Sequence, residues 1–178
     1  SPLRAELQRR QLKLENEYYL KNLSKLKLEH SRHIRKMLEL EEIYDTTVEN
    51  LMTALDLRDV ETFGHSRTVS KYSQVLAEVL GIRDQAILDN IRKGALLHDI
   101  GKVRIDRAIL TKPAPLSERE TENMKMHTVF GFEMLRGRVD ISAVVAGVAY
   151  QHHERNDGSG YPRGLREPQI HPFAQVVA

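Results

Sequence analysis

Large apolar side chains recur through the first third of the chain at alternating steps of four and three, with Lys, Arg and Glu crowded between them. The seam passes through Tyr19, Leu23, Leu26, His30, His33, Met37, Leu40 and Tyr44. Such a heptad pattern marks a helix that buries one stripe against a partner helix. Helix formers run uninterrupted from about Leu3 to Leu57; the first glycine is Gly64 and the only earlier proline is Pro2. The spacing predicts one long helix, whose phase differs before Tyr19 (Leu3, Leu7, Leu14), and a parallel homodimeric coiled coil as its role. His30 and His33 read as weak seam positions, since solvent-facing histidines on helices are ordinary. A continuous helix of this type can pass a rotation or register shift from an upstream receiver or sensor module to an output domain.

Shorter helices follow. Val69, Tyr72, Leu76, Val79 and Leu80 form a helical stripe that Gly81 stops. Asp84 is placed to cap the next helix, where Ile87, Ile91, Ala95 and His98 share a face, and Gly101 is expected to end it. Ile109 to Leu116 is a proline-punctuated loop, and Ser117-Glu118-Arg119-Glu120 is a capping box opening another helix. On that helix Met124, His127, Phe130 and Met134 fall on one side. Asp140 is expected to cap a helix from Ile141, with Ile141, Val144, Val145, Val148 and His152 at helical spacing. Asp157 to Gly160 reads as a turn. Nothing alternates with a strand period over a useful length, so the predicted fold is all-α: a coiled-coil-type helix over residues 1–45, then a multi-helix bundle over 46–178.

Composition narrows the possibilities without choosing among them. The chain has 178 residues, a formal net charge of +2, eight histidines and no cysteine. A charge this small argues against a broad nucleic-acid-binding surface. No apolar run is long enough for a membrane span, and the N-terminus is charged where a signal peptide is apolar. A cytoplasmic chain is expected. The uninterrupted helical opening and the apolar run Phe173 to Ala178 suggest a fragment of a longer polypeptide.

Without cysteine, any metal site here must use nitrogen and oxygen donors, which excludes a structural zinc finger. Taken singly, each histidine reads as a hydrogen-bonded core residue. Together, His98, His127 and His152 continue the buried stripes of three separate helices, and burying several imidazoles side by side is unfavourable unless a cation or hydrogen-bond partners satisfy them. Asp99 adds a carboxylate able to bridge two metals. Glu61 and His65 stand four apart and would share a helix face, although Gly64 makes helix continuity there uncertain. On residue type alone that pair divides evenly between site and ordinary surface or core positions.

The ordered set His98-Asp99-Ile100-Gly101-Lys102, His152-His153-Glu154-Arg155 and Asp157-Gly158-Ser159-Gly160-Tyr161-Pro162 resembles the HD-GYP domain, a branch of the HD phosphohydrolases that hydrolyses cyclic di-GMP in bacterial signalling. The resemblance spans about Thr46 to Ala178 and includes Ile109-Leu110-Thr111-Lys112-Pro113 and Met124-Lys125-Met126-His127. It implies an HD-type helical bundle and two or three divalent metal ions held by His98, Asp99, His127, His152 and His153, with Asp99 bridging. His65 stands where a further ligand is often found. Glu61 stands where members resembling trinuclear enzymes carry glutamate, which favours three metals. Lys102 is expected to hold a substrate phosphate. Gly160-Tyr161-Pro162 is expected to shape the loop beside the site and to contact partner proteins. Family members also carry an aspartate ligand just beyond the segment that ends here at Ala178, so the domain is expected to be C-terminally incomplete. Ala114 and Asn156 depart from the usual loop residues without touching an expected ligand.

Imidazole and carboxylate donors suit iron or manganese better than zinc. The expected chemistry is in-line hydrolysis of a phosphodiester by a hydroxide shared between metals, giving linear pGpG and, with a third metal, GMP. Asp99 and Lys102 are the expected catalytic residues. Two other readings stand beside it: a phosphohydrolase for another cyclic dinucleotide, and a non-catalytic module that binds a nucleotide or a protein.

Overall fold

The computed structural model describes residues 2–57, 64–138 and 141–178. It is helical, with no strand among those residues beyond an isolated bridge between Asp157 and Arg166. The chain forms two compact units, Ser1–Thr47 and Val48–Ala178. Helix α1, Pro2–Asp56, supplies the whole of the first unit, where Tyr19, Leu23, Leu26, Met37 and Leu40 are each more than half exposed.

Among the described residues, the second unit is built from the end of α1 and seven further helices: α2 (His65–Val79), α3 (Gln85–Leu97), α4 (Arg107–Leu110), α5 (Glu118–Lys125), α6 (His127–Leu135), α7 (Ala143–Gln151) and α8 (Pro172–Val177), with a 3-10 turn at Ile100–Arg104. Its main core joins Met52 and Leu55 of α1, Leu96 and Leu97 of α3, Leu135 of α6, and Val145, Ala146 and Ala149 of α7. These residues remove a continuous apolar surface from water, the dominant favourable term in folding.

Helix α2 forms over the expected apolar stripe but buries a different side. Its buried face is Ser66, Ser70, Ser73 and Ala77, whereas Tyr72, Leu76, Val79 and Leu80 of the apolar stripe are exposed. Small residues let α2 lie close on its neighbours, and their hydroxyls are satisfied there: Ser70 Oγ donates to the Arg92 carbonyl at 2.8 Å and Ser73 Oγ to the Val176 carbonyl at 3.4 Å. Gly81 stops the helix as expected. At φ 93° it adopts a left-handed conformation, and Gly81 N–H and Ile82 N–H return to the carbonyls of Glu78 and Ala77 in a Schellman closure.

Asp84 caps α3 by accepting from the backbone N–H groups of Ala86 and Ile87, and Ile91, Ala95 and His98 are buried. The helix already ends at Leu97, however, and Gly101 lies inside the 3-10 turn. Its role is proximity: a Cβ at Gly101 would overlap the backbone of His127 and Gly131, so the His98-Asp99 segment can press directly onto α6.

The helix expected to run from the capping box through Met134 is two helices. The capping box forms at Ser117 and Glu120, but α5 stops at Lys125 and α6 begins at His127. The buried side of α6 is therefore His127, Thr128, Gly131 and Leu135; Met124, Phe130 and Met134 are only half-buried. Helix α7 begins at Ala143, not Ile141, and Asp140 lies outside the described residues.

Two glycine substitutions should move stability in opposite directions. Gly101→Ala forces the turn off α6 and should lose about 1–3 kcal/mol, typical of overpacking. Gly147→Ala, in the interior of α7 with open space around the added methyl, should gain about 0.5–1 kcal/mol. Urea denaturation of the two variants checks both signs.

Candidate metal centre

Three helix endings carry a histidine arranged in the same way. His98 follows α3, His152 follows α7 and His127 follows the break after α5. In each, ring Nδ1 lies within hydrogen-bonding distance of the carbonyl three residues back: His98 to Ala95 at 2.6 Å, His127 to Met124 at 2.7 Å, and His152 to Ala149 at 3.1 Å. A carbonyl only accepts, so Nδ1 bears the proton in all three rings. Carbonyls in a last helical turn lack intrahelical donors, and the rings satisfy them. Nε2 is left as the outward atom, the orientation that backbone contacts impose on metal-binding histidines.

Those outward nitrogens converge on Asp99. His98 Nε2 lies 3.0 Å from Asp99 Oδ2, His127 Nε2 lies 3.2 Å from Oδ1, and His152 Nε2 lies 3.7 Å from Oδ1. Lys102 Nζ is 3.0 Å from Oδ2. His98, Asp99, Lys102, His127 and His152 are all buried. Donor atoms of Asp99, His127, His152 and His153 lie within 4.8 Å of one another, and so do those of His65, His98 and Asp99. Asp99 belongs to both groups, with Oδ2 toward His98 and Oδ1 toward His127 and His152.

The donor set fits metal ions. His127 Nε2 and His152 Nε2 are 3.2 Å apart, and with both Nδ1 atoms protonated, two neutral rings would point lone pairs at each other. Asp99 Oδ1 is buried beside them without an aligned hydrogen bond. A cation resolves both conflicts. Two donors about 2.1 Å from one ion, at 90–110° to each other, would stand about 3.0–3.4 Å apart. The electrostatics agree: burial lowers His152 to about 4 against the pull of Asp99, and burial with repulsion from His152 and His127 lowers His153 to about 3. Both rings are thus neutral, the ligand form, at physiological pH. Burial opposes the charged forms of His98 and Asp99, but their mutual attraction holds His98 above and Asp99 well below their ordinary values.

One side of this cluster is closed by the loop after α7. Glu154 is buried, and its carboxylate accepts from the backbone N–H groups of Arg163 and Leu165, both at 2.7 Å. Gly160 lies so close to the backbone of His153, Glu154 and Arg155 that a Cβ would collide with it. The fold thereby lays the Tyr161 ring on His153, with centroids 4.7 Å apart and planes 23° from parallel. Burial and the charge of Asp99 push the Tyr161 phenol up to about 12, so it remains neutral. Pro162 follows through a cis peptide bond. A cleft of about 560 Å³ opens here, with His152, His153, Tyr161, Lys125 and Arg155 in its wall.

The fold therefore brings together His65, His98, Asp99, Lys102, His127, His152 and His153, with Gly160, Tyr161 and Pro162 alongside. Glu61 lies outside the described residues. Sequence reasoning missed Glu154 as the residue that fastens the loop. Its place directly after the histidine pair and before a glycine-rich turn was the available signal.

Residues 49–178 match the family described as the HD domain. A cyclic di-GMP phosphodiesterase of Thermotoga maritima is 40% identical over 162 residues, 90% of this chain and 44% of that protein. A 3'3'-cGAMP-specific phosphodiesterase of Vibrio cholerae is 35% identical over 82% of this chain and 28% of its own length. Among solved structures, an HDG"Y"P protein from Bdellovibrio bacteriovorus aligns with a TM-score of 0.54 at 31% identity, covering 64% of this chain and 37% of that one. The chain thus spans less than half the length of these relatives. With its His-Asp pair, its histidine pair and its Gly-Tyr-Pro loop gathered around one pocket, this chain belongs to the HD domain family, in the HD-GYP branch.

Proposed function

We propose that this chain is the catalytic part of a metal-dependent cyclic di-GMP phosphodiesterase. The observation that carries the reading is the convergence of histidine Nε2 atoms from separate helices on the two oxygens of one buried carboxylate. Asp99, His127, His152 and His153 would hold one ion; His65, His98 and Asp99 would hold a second. Glu61 is the proposed ligand of a third. The nitrogen and oxygen donor set favours iron or manganese. Bound ions would supply Lewis acidity toward the phosphoryl oxygens and lower the pKa of water so that hydrolysis proceeds near neutral pH.

The chain's own groups perform the remaining work. Asp99 fixes the spacing of the two subsites, and Lys102, ion-paired to Asp99, places a positive charge where negative charge grows on a phosphoryl group. Tyr161 and His153 form a flat stacked wall beside the cleft, and Lys125 and Arg155 give that cleft a cationic lining suited to a phosphodiester. The proposed products are linear pGpG and then GMP. A second reading, hydrolysis of 3',3'-cGAMP, is favoured by the Vibrio cholerae relative named for that substrate. The gathering of His65, His98, His127, His152 and His153 around Asp99 weighs against a module that only binds.

In the first unit, the exposed seam Tyr19, Leu23, Leu26, Met37 and Leu40 supports a homodimer through α1, the natural junction to an upstream receiver or sensor domain. None of the described helices is long and apolar enough to cross a membrane. A cyclic dinucleotide substrate implies a cytoplasmic setting.

Three outcomes follow from these assignments. Asp99→Ala should lower turnover of cyclic di-GMP at least about a thousandfold, the equivalent of roughly 4 kcal/mol of lost transition-state stabilisation; residual activity within tenfold of the parent, measured by chromatography of pGpG and GMP, overturns the assignment. Mn(II) should stabilise the parent protein by about 2.7 kcal/mol when free metal is a hundred times Kd, and a chelator should reverse this in a thermal scan. Light scattering at micromolar concentration should return a dimer mass, and Leu23→Glu with Leu26→Glu should return a monomer.

A further inference from the structure

Helix α2 starts at the candidate ligand His65 and has no cap of its own: the residue before it, Gly64, offers no side chain. The missing partner comes from the end of α1. Asp56 is the last residue of that helix and is buried, and its carboxylate accepts from Ser66 Oγ at 2.8 Å and from Ser66 N–H at 3.3 Å. Ser66 is buried as well. A negative charge on the first-turn donors of a helix is favourable, and a charge-assisted bond out of water is among the stronger ones. Asp56 therefore caps α2 from another helix and sets where its first turn, with His65, comes to rest.

The two donor groups around Asp99 differ in this respect. His127, His152 and His153 stand on the segments around α5, α6 and α7, while only the His65, His98 and Asp99 group depends on the start of α2. The geometry points to Asp56 as a positioning residue for that one subsite: through Ser66 it holds His65 in register with His98 and Asp99, without itself touching a metal. This rests on the reading above, in which these two subsites share Asp99. It adds an asymmetry, in that the end of α1 governs one ion and not the other.

The test is Mn(II) binding to the full chain, by calorimetry together with low-temperature electron paramagnetic resonance. Two Mn(II) ions sharing Asp99 give an exchange-coupled signal; a single ion gives an isolated six-line spectrum. Asp56→Ala should weaken one binding step about 10–100-fold, the usual effect of removing a group that orients a ligand, and leave the other within about twofold. At one equivalent per subsite the coupled signal should give way to the isolated one. Asp56→Asn keeps an acceptor oxygen and should recover part of the coupling. Glu49→Ala removes only the exposed α1–α2 ion pair with Arg67 and should match the parent. Should Asp56→Ala fail to fold, Ser66→Ala takes its place with the same expectation. A folded Asp56→Ala protein with parental binding at both steps, or with both steps weakened alike, overturns the inference. A parent protein that binds no Mn(II), Fe(II) or Zn(II) overturns the metal-centre reading itself, a result distinguishable from the other two.

Discussion

Three imidazole protons tied to three helix-end carbonyls are the constraint on which the rest of this structure turns. Once Ala95, Met124 and Ala149 have claimed the Nδ1 hydrogens of His98, His127 and His152, the opposite nitrogens must face each other and Asp99. Each backbone bond is locally favourable, because it satisfies a carbonyl that the helix leaves open. Their sum is unfavourable without a cation, because it stacks lone pairs and a carboxylate oxygen in a buried space. The fold thus builds a pocket of donor atoms suited to a cation out of ordinary helix termination.

Holding such a cluster demands close approach of the segments that carry it. Gly101 lets the His98-Asp99 turn rest on the backbone of His127, and Gly94 lets α3 meet Val148 of α7 at 3.1 Å from where a Cβ would stand. The serine face of α2 serves the same purpose on the other side, where a leucine stripe would hold the helix away. Glu154 then fastens the outer loop through two backbone amides, so Tyr161 lies flat on His153. Candidate metal donors and supporting residues are interleaved in sequence but play separate physical parts.

Much of this was readable beforehand, for identifiable reasons. The run of helix formers in α1, the Asp84 cap and the Ser117–Glu120 capping box are local signals that depend on neighbours within four residues, and each forms as expected. The histidines were legible as a group because burying several imidazoles has few explanations. The serine face of α2 was not legible, because apolar spacing marks a stripe without saying which side close packing buries. The break at Met126 was missed because helix periodicity carries straight across it. Gly101 was read as a stop signal, although its neighbours in space, not in sequence, make it necessary.

By itself the sequence determined the helical content, the caps at Asp84 and Ser117, the cysteine-free donor set and which side chains are candidate metal donors, because these follow from local propensity and from residue chemistry. Only the tertiary structure decided which nitrogen of each histidine faces inward, that Asp99 turns Oδ2 to His98 and Oδ1 to His127 and His152, and that Asp56 caps α2 while Glu154 fastens the loop after α7. Those outcomes depend on contacts between residues far apart along the chain, and spacing within a helix or loop has no means of encoding them.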